Sequence, residues 1–135
     1  MANPTIKHAD QWGECIDRPD DNCVEIRWFD TTRDMDAEDF NQFLSAFATT
    51  VEASGRRGGL VDAIQFMMDM AKMSVGWRDK NIIPRYNAAG MKKFAFIMPQ
   101  GMPAIGNPPA AEGPADFPTA YFATRADALN WLNSD

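Results

Sequence analysis

At 135 residues, with 45% hydrophobic and 24% charged side chains, the chain is long enough for one hydrophobic core and too ordinary in composition for a disordered or fibrous protein. Its net charge of −6 argues against general nucleic-acid binding, and Cys15 and Cys23 are too few for a disulfide scaffold or a structural zinc site. No apolar run approaches the roughly 18 residues that span a bilayer, and the opening Met1-Ala2-Asn3-Pro4-Thr5-Ile6-Lys7 lacks a basic-then-apolar leader, so a cytoplasmic protein is expected.

Residues 1–11 read as an N-terminal arm and 12–135 as a single domain. Gly13 to Asp17 and Cys23 to Phe29 read as two strands. In the second, Val24, Ile26 and Trp28 alternate with Glu25 and Arg27, the period-2 pattern of a half-buried strand. Arg18-Pro19-Asp20-Asp21-Asn22 supplies the turn between them. Asp36 is placed to cap a helix, with Asp39 supporting its first turn. Phe40, Phe43, Leu44, Phe47 and Val51 give that helix one apolar stripe, and Gly55 suits its left-handed end. Gly58 to Ala63 is a short strand with no alternation, as expected of one covered on both faces.

The spacing of Phe66, Met67, Met70, Met73, Ser74 and Trp77 predicts a second helix over 66–77. Pro84 predicts a broken helix around Asn81 to Ala89, ending near Gly90. Phe94 to Met98 and Thr119 to Ala123 read as strands, and Thr124 with Asp127 opens a last helix through Leu132. Between those strands, residues 100–118 hold Pro103, Pro108, Pro109, Pro114 and Pro118 with three glycines, so no regular element is expected there. A loop this long suits a lid, with Ala104, Ile105, Ala110, Ala111 and Phe117 as its apolar side. Alternating strands and helices predict an α/β fold: one mixed sheet of four or five strands flanked by helices. Right-handed crossovers would line up Phe29, Ala63 and Met98 along one sheet edge.

Little catalytic chemistry can be assembled. His8 is the one histidine, which rules out histidine dyads and two-histidine metal sites within the chain. The Asp30 to Asp39 run fails as a calcium loop: its glycine position falls on Asp39 and its glutamate position on Ser45. Gly55-Arg56-Arg57-Gly58-Gly59 lacks the Gly-Lys-Ser/Thr ending of a phosphate loop and leads into a strand. Asp62, at a strand end, reads as a helix cap or loop partner before it reads as a site residue. No catalytic residue, metal site or cofactor is therefore predicted. Cys15 and Cys23 flank the hairpin turn and are expected to stay reduced.

The nine methionines carry more information. Met67, Met68, Met70 and Met73 crowd one segment, Met98 ends a strand and Met102 opens the Pro-rich loop. Methionine adapts to varied apolar shapes. The alternatives are a core padded with Met and an apolar ligand pocket walled by Phe66, Met67, Met70, Met73, Trp77, Met98, Met102 and Ile105. Charge is segregated as well: residues 1–39 hold eleven acids and four bases, residues 56–93 eight bases and three acids. Solvated faces explain this, and so does a dipolar surface that docks a partner or an anionic membrane.

The hairpin ending in Val24-Glu25-Ile26-Arg27-Trp28, the helix capped by Asp36, Gly59-Leu60-Val61-Asp62, Gly90 to Ile97, and Ala126 to Leu132 together resemble the SpoIIAA-like, STAS-related bacterial proteins. The resemblance covers about residues 12 to 133. It implies the same mixed sheet and no catalysis. The STAS switch, a phosphorylatable Ser or Thr opening the helix after the central strand, has no counterpart in Ala63-Ile64-Gln65-Phe66-Met67, and Ser74 lies well beyond. The wider fold is similar to lipid-binding CRAL-TRIO domains, which implies an apolar ligand or a membrane surface. The leading expectation is a non-enzymatic module binding a lipid-like or other apolar small molecule. The alternative is a protein-interaction or regulatory domain, with a protein partner or as a homodimer.

Overall fold

The computed structural model describes residues 3–99, 110–111 and 113–134. Among these the protein is α/β, with a seven-stranded mixed sheet in the order β1-β2-β3-β4-β5-β7-β6. The strands are β1 (Thr5–Ala9), β2 (Gly13–Arg18), β3 (Cys23–Trp28), β4 (Gly58–Asp62), β5 (Lys93–Ile97), β6 (Ala110–Ala111) and β7 (Pro118–Phe122). The helices are α1 (Ala37–Ser54), α2 (Trp77–Asn81), α3 (Ile83–Ala88) and α4 (Arg125–Leu132). β3, β4, β5 and β7 run parallel, so Arg27, Asp62, Ile97 and Phe122 share one register line near the carboxyl ends of the strands.

Local chemistry explains most boundaries. The β2–β3 hairpin closes through a single 3-10 turn at Pro19–Asp21 and a left-handed Asn22, a residue type that tolerates that conformation. Asp36 and Asp39 form a reciprocal capping box on α1, and Gly55 ends it at φ 70°. Pro84 lies in the first turn of α3, where its missing N–H is harmless. Thr124 accepts a hydrogen bond from Asp127 N and caps α4.

Four expectations differ from the structure. The sheet has more than four or five strands, because β1 and β6 add a strand at either edge. Thr5 to Ala9, read as an arm, pairs with β2 with a bulge between Ile6 and His8. An edge strand needs no core pattern, and β1 is mostly exposed, so periodicity gave no sign of it. The proline-dense stretch is not wholly irregular: Ala110–Ala111 pairs with Pro118 and Thr119 of β7. The helix predicted over 66–77 is absent. Residues 63–76 run as successive turns with one 3-10 turn at Met70–Lys72, and helix begins only at Trp77.

Strand alternation sorts the core onto two faces. On the first, Val24, Ile26, Trp28, Val61 and Phe94 pack with Phe43, Leu44, Phe47 and Val51 of α1 and with Ile83 and Tyr86 of α3. On the second, Cys23, Leu60, Ala95 and Ile97 form a smaller cluster with Ala128 of α4, edged by Phe122, Leu129 and Trp131. Cys15 belongs to the first cluster and Cys23 to the second, so the two buried free thiols lie on opposite faces of the sheet.

The segregated charge is partly consumed in folding. Arg56 forks onto Asp17 at 2.8 and 3.2 Å, Arg85 pairs with Glu52, and Lys93 donates to the carbonyls of Trp131, in the last turn of α4, and of Ser134 just beyond it. No helix among the described residues is long and apolar enough to cross a membrane.

Candidate functional site

Among the described residues the first face is not filled. A mostly apolar cavity of about 770 Å³ lies between the sheet, α1, the 63–76 segment and the α2–α3 pair. Its sheet wall is Trp28, Val61, Phe94, Phe96, Met98 and Tyr121, drawn from all four parallel strands or their ends. Phe40 and Leu44 of α1 face it from one side. Two aromatic groups flank it: Trp28, Phe40 and Phe66 are mutually packed, and Phe96 stacks on Tyr121 with centroids 5.0 Å apart.

The 63–76 segment explains why the space exists. Asp62 Oδ1 accepts from Ile64 N, Thr32 Oγ1 from Met67 N, and Asp69 Oδ1 from Ala71 N. Phe66, Lys72, Met73 and Trp77 each donate to the carbonyl three residues back. From Asp69 on, a side-chain acceptor and short i to i+3 turns thus occupy the backbone in place of a helical ladder, a local competition that Asp is suited to win. A continuous helix would have laid a full apolar stripe on the sheet; the turned segment supplies Phe66, Met68, Met70 and Met73 to the cavity wall and leaves the rest open. It also leaves Ile64, Met67, Met70 and Val75 exposed.

A few polar residues, Asn41, Ser74, Arg78, Asp79 and Tyr86, are among those that line the cavity. Tyr86 lines it, is 1% exposed, and its hydroxyl has no hydrogen-bond partner among the described residues. The ring stacks on Phe94 at 5.6 Å and meets Phe47 edge-on at 5.9 Å. Burial pushes the phenol well above its ordinary pKa, and the nearby Arg78 charge acts in the opposite direction. Arg78 also lines the cavity, with its guanidinium carbon 5.5 Å from the Phe94 ring centroid, a cation–π distance. Asp79 stands at the exposed rim, beside Gly113.

Of the residues proposed from sequence, Phe66, Met70, Met73 and Met98 come together on this cavity. Met67 is exposed, with Arg33 reaching its sulfur at 3.5 Å, and Trp77 lies in a separate shallow groove against Ala37, Asn41 and Ser45 of α1. Met102 and Ile105 lie outside the described residues, as does most of the Pro-rich stretch; its end, Phe117, is buried against Tyr86 and Phe94. Sequence reasoning missed Tyr86 and Arg78. Neither sits in a motif, and only the fold shows that one hydroxyl is buried without a partner.

The remaining candidates resolve into structure. Asp62 accepts from Arg125 at 3.0 Å as well as from Ile64 N, the loop-partner role read from its position. His8 bonds to Asp10 and packs edge-on against Phe43. Burial pushes both thiols up to about 12. No cluster of three or more His, Cys, Asp or Glu that could hold a metal occurs among the described residues. In comparisons with protein-family models, curated proteins and solved structures, nothing matches the chain.

Proposed function

We propose that the protein is a non-enzymatic binding module that takes a lipid-like or other apolar small molecule into the cavity on the α1 face. The observation that carries this reading is the cavity itself: it is lined mainly by aromatic, aliphatic and methionine side chains with a few polar groups, the composition common to small-molecule sites. The flexible Met68, Met70, Met73 and Met98 suit a ligand defined by bulk more than by shape. The resemblance to SpoIIAA-like proteins and CRAL-TRIO domains agrees with it.

Native mass spectrometry of protein purified without detergent is expected to show co-purified apolar mass. Stripped protein should regain stability on adding a saturating apolar probe, since ligand at a hundredfold excess over Kd contributes about 2.7 kcal/mol. A bare mass together with an unmoved Tm across alkyl and aromatic probes overturns the reading.

A second reading, a protein-interaction or STAS-type regulatory domain, draws on the exposed Ile64, Met67, Met70 and Val75. It predicts a dimer or a retained partner in sedimentation at both low and high salt, and an unliganded cavity.

A further inference from the structure

The segment from Ala63 to Gly76 changes character at its middle. Its first part is bound to the body of the fold: Met67 N donates to Thr32 Oγ1 at 2.8 Å, Phe66 packs on Trp28 with centroids 5.1 Å apart, and Met68 is buried. From Asp69 on, that support ends. Among the described residues, the hydrogen bonds of Asp69 to Gly76 stay within that stretch or run to α2: Ala71 N to Asp69 Oδ1, Lys72 N to Asp69 O, Met73 N to Met70 O, Trp77 N to Ser74 O and Lys80 N to Gly76 O. Gly76 turns at φ 78°, a conformation that glycine takes without steric cost, and the chain is buried again at Ile82, where α2 ends. Between these anchors the apolar side chains face water: Met70 lines the cavity yet is 66% exposed, and Val75 is fully exposed.

We infer that residues 69–76 form a flap that closes over a ligand in the cavity, swinging between Met68 and Gly76 so that Met70 and Met73 cover the ligand's apolar body. This rests on the reading of the cavity as an apolar ligand site. A stretch with few buried apolar contacts and only local hydrogen bonds opens and closes at small cost, and lids are drawn from such stretches. An apolar ligand supplies the surface that Met70 lacks in the free protein, so binding and closure reinforce each other. The unbranched side chains of Met70 and Met73 can follow ligands of different outline.

Trypsin reads the flap directly, because Lys72 is its one cleavage site between Met68 and Trp77. Stripped protein should be cut after Lys72 well before it is cut after Arg57 or Lys92, which are also exposed but lead into β4 and β5. Decan-1-ol and 1-naphthol, titrated calorimetrically, serve as probes. At a tenfold excess over its Kd, a probe should slow the Lys72 cut roughly tenfold, the factor by which binding to the closed form depletes the open one. Met70→Ser should weaken the probe about fivefold or more, the scale of burying most of a methionine side chain, and leave the Tm of the free protein unmoved. If free protein is cut after Lys72 no sooner than after Arg57 and Lys92, the stretch is rigid and the flap falls while the cavity reading stands. If a probe binds and either the Lys72 cut keeps its free rate or Met70→Ser leaves Kd unchanged, the stretch does not close on the ligand and the flap falls in the same way. If neither probe binds the folded protein, both readings fall together.

Discussion

On the α4 face of the sheet Glu25 is wholly buried and meets Arg125 at 2.7 and 2.9 Å, Arg18 at 2.5 Å and Arg27 at 3.9 Å. On the α1 face Tyr86 is almost as deeply buried, packs on Phe47, Phe94 and Phe117, and its hydroxyl has no hydrogen-bond partner among the described residues. The first polar group is satisfied by the chain itself, through Arg125 and Arg18. The second borders a cavity of about 770 Å³. The contrast separates a buried polar group that the chain pairs from one left unpaired among the described residues.

The largest effect is expected where the closed face is broken. Arg125→Met leaves Glu25 buried without its bidentate partner and should cost about 3 kcal/mol, the lower end for a broken buried pair because Arg18 remains and Arg125 is partly exposed. Urea denaturation measures it, and a loss under about 1 kcal/mol would show that Arg18 alone suffices. The pH dependence gives the sign. Burial by itself would raise the Glu25 pKa, but the hydrogen bonds and charges of Arg125 and Arg18 outweigh it and hold the carboxyl below its ordinary value. A folded pKa below the unfolded one stabilises fully above the unfolded value, and that contribution is lost as pH falls through the folded value. The wild type should therefore lose stability on the acid side. In Arg125→Met burial gains weight, so the Glu25 share of that loss should shrink or reverse, as Tm measured across acidic pH will show.

A matched pair of insertions compares the faces directly. Ala95→Leu places three more carbons in the tight α4 cluster, where Ala95 is 0% exposed, and should cost about 2 kcal/mol through overpacking. Ala63→Leu adds the same atoms at the cavity wall and should change stability by less than about 0.5 kcal/mol while weakening any apolar probe. Equal destabilisation at both positions would mean that the α1 face is as full as the other.

The smallest effect is an absence of reaction. Cys15 and Cys23 are both 0% exposed, and their pKa values are pushed up to about 12, chiefly by burial. Iodoacetamide at pH 8 should leave native protein unmodified and label both thiols once it is unfolded. Oxidation should give no intramolecular disulfide, because the two residues occupy opposite faces. Labelling of Cys15 alone in native protein would reveal opening of the cavity side.

Much of the framework was legible in the residues. Turn and capping chemistry act over a few positions, so Asn22, the Asp36–Asp39 box, Gly55, Pro84 and Thr124 mark the same boundaries in the sequence as in the structure. Alternation along β3 set Val24, Ile26 and Trp28 on one face, yet the opposite face, read as half-exposed, is sealed over Glu25 by Arg125, a residue one hundred positions away. The apolar spacing from Phe66 to Trp77 was real but misleading, since Asp69 and short turns occupy the backbone donors from Ala71 on, and Thr32 holds Met67 N only because the chain has folded. Composition and local pattern thus determined the α/β class, most strands and the apolar character of the methionine segment. Which methionines face a cavity, that the Tyr86 hydroxyl is buried without a partner among the described residues, and that Arg78 lies over Phe94 were decided by tertiary packing, because each is a relation between side chains that only long-range contact brings together.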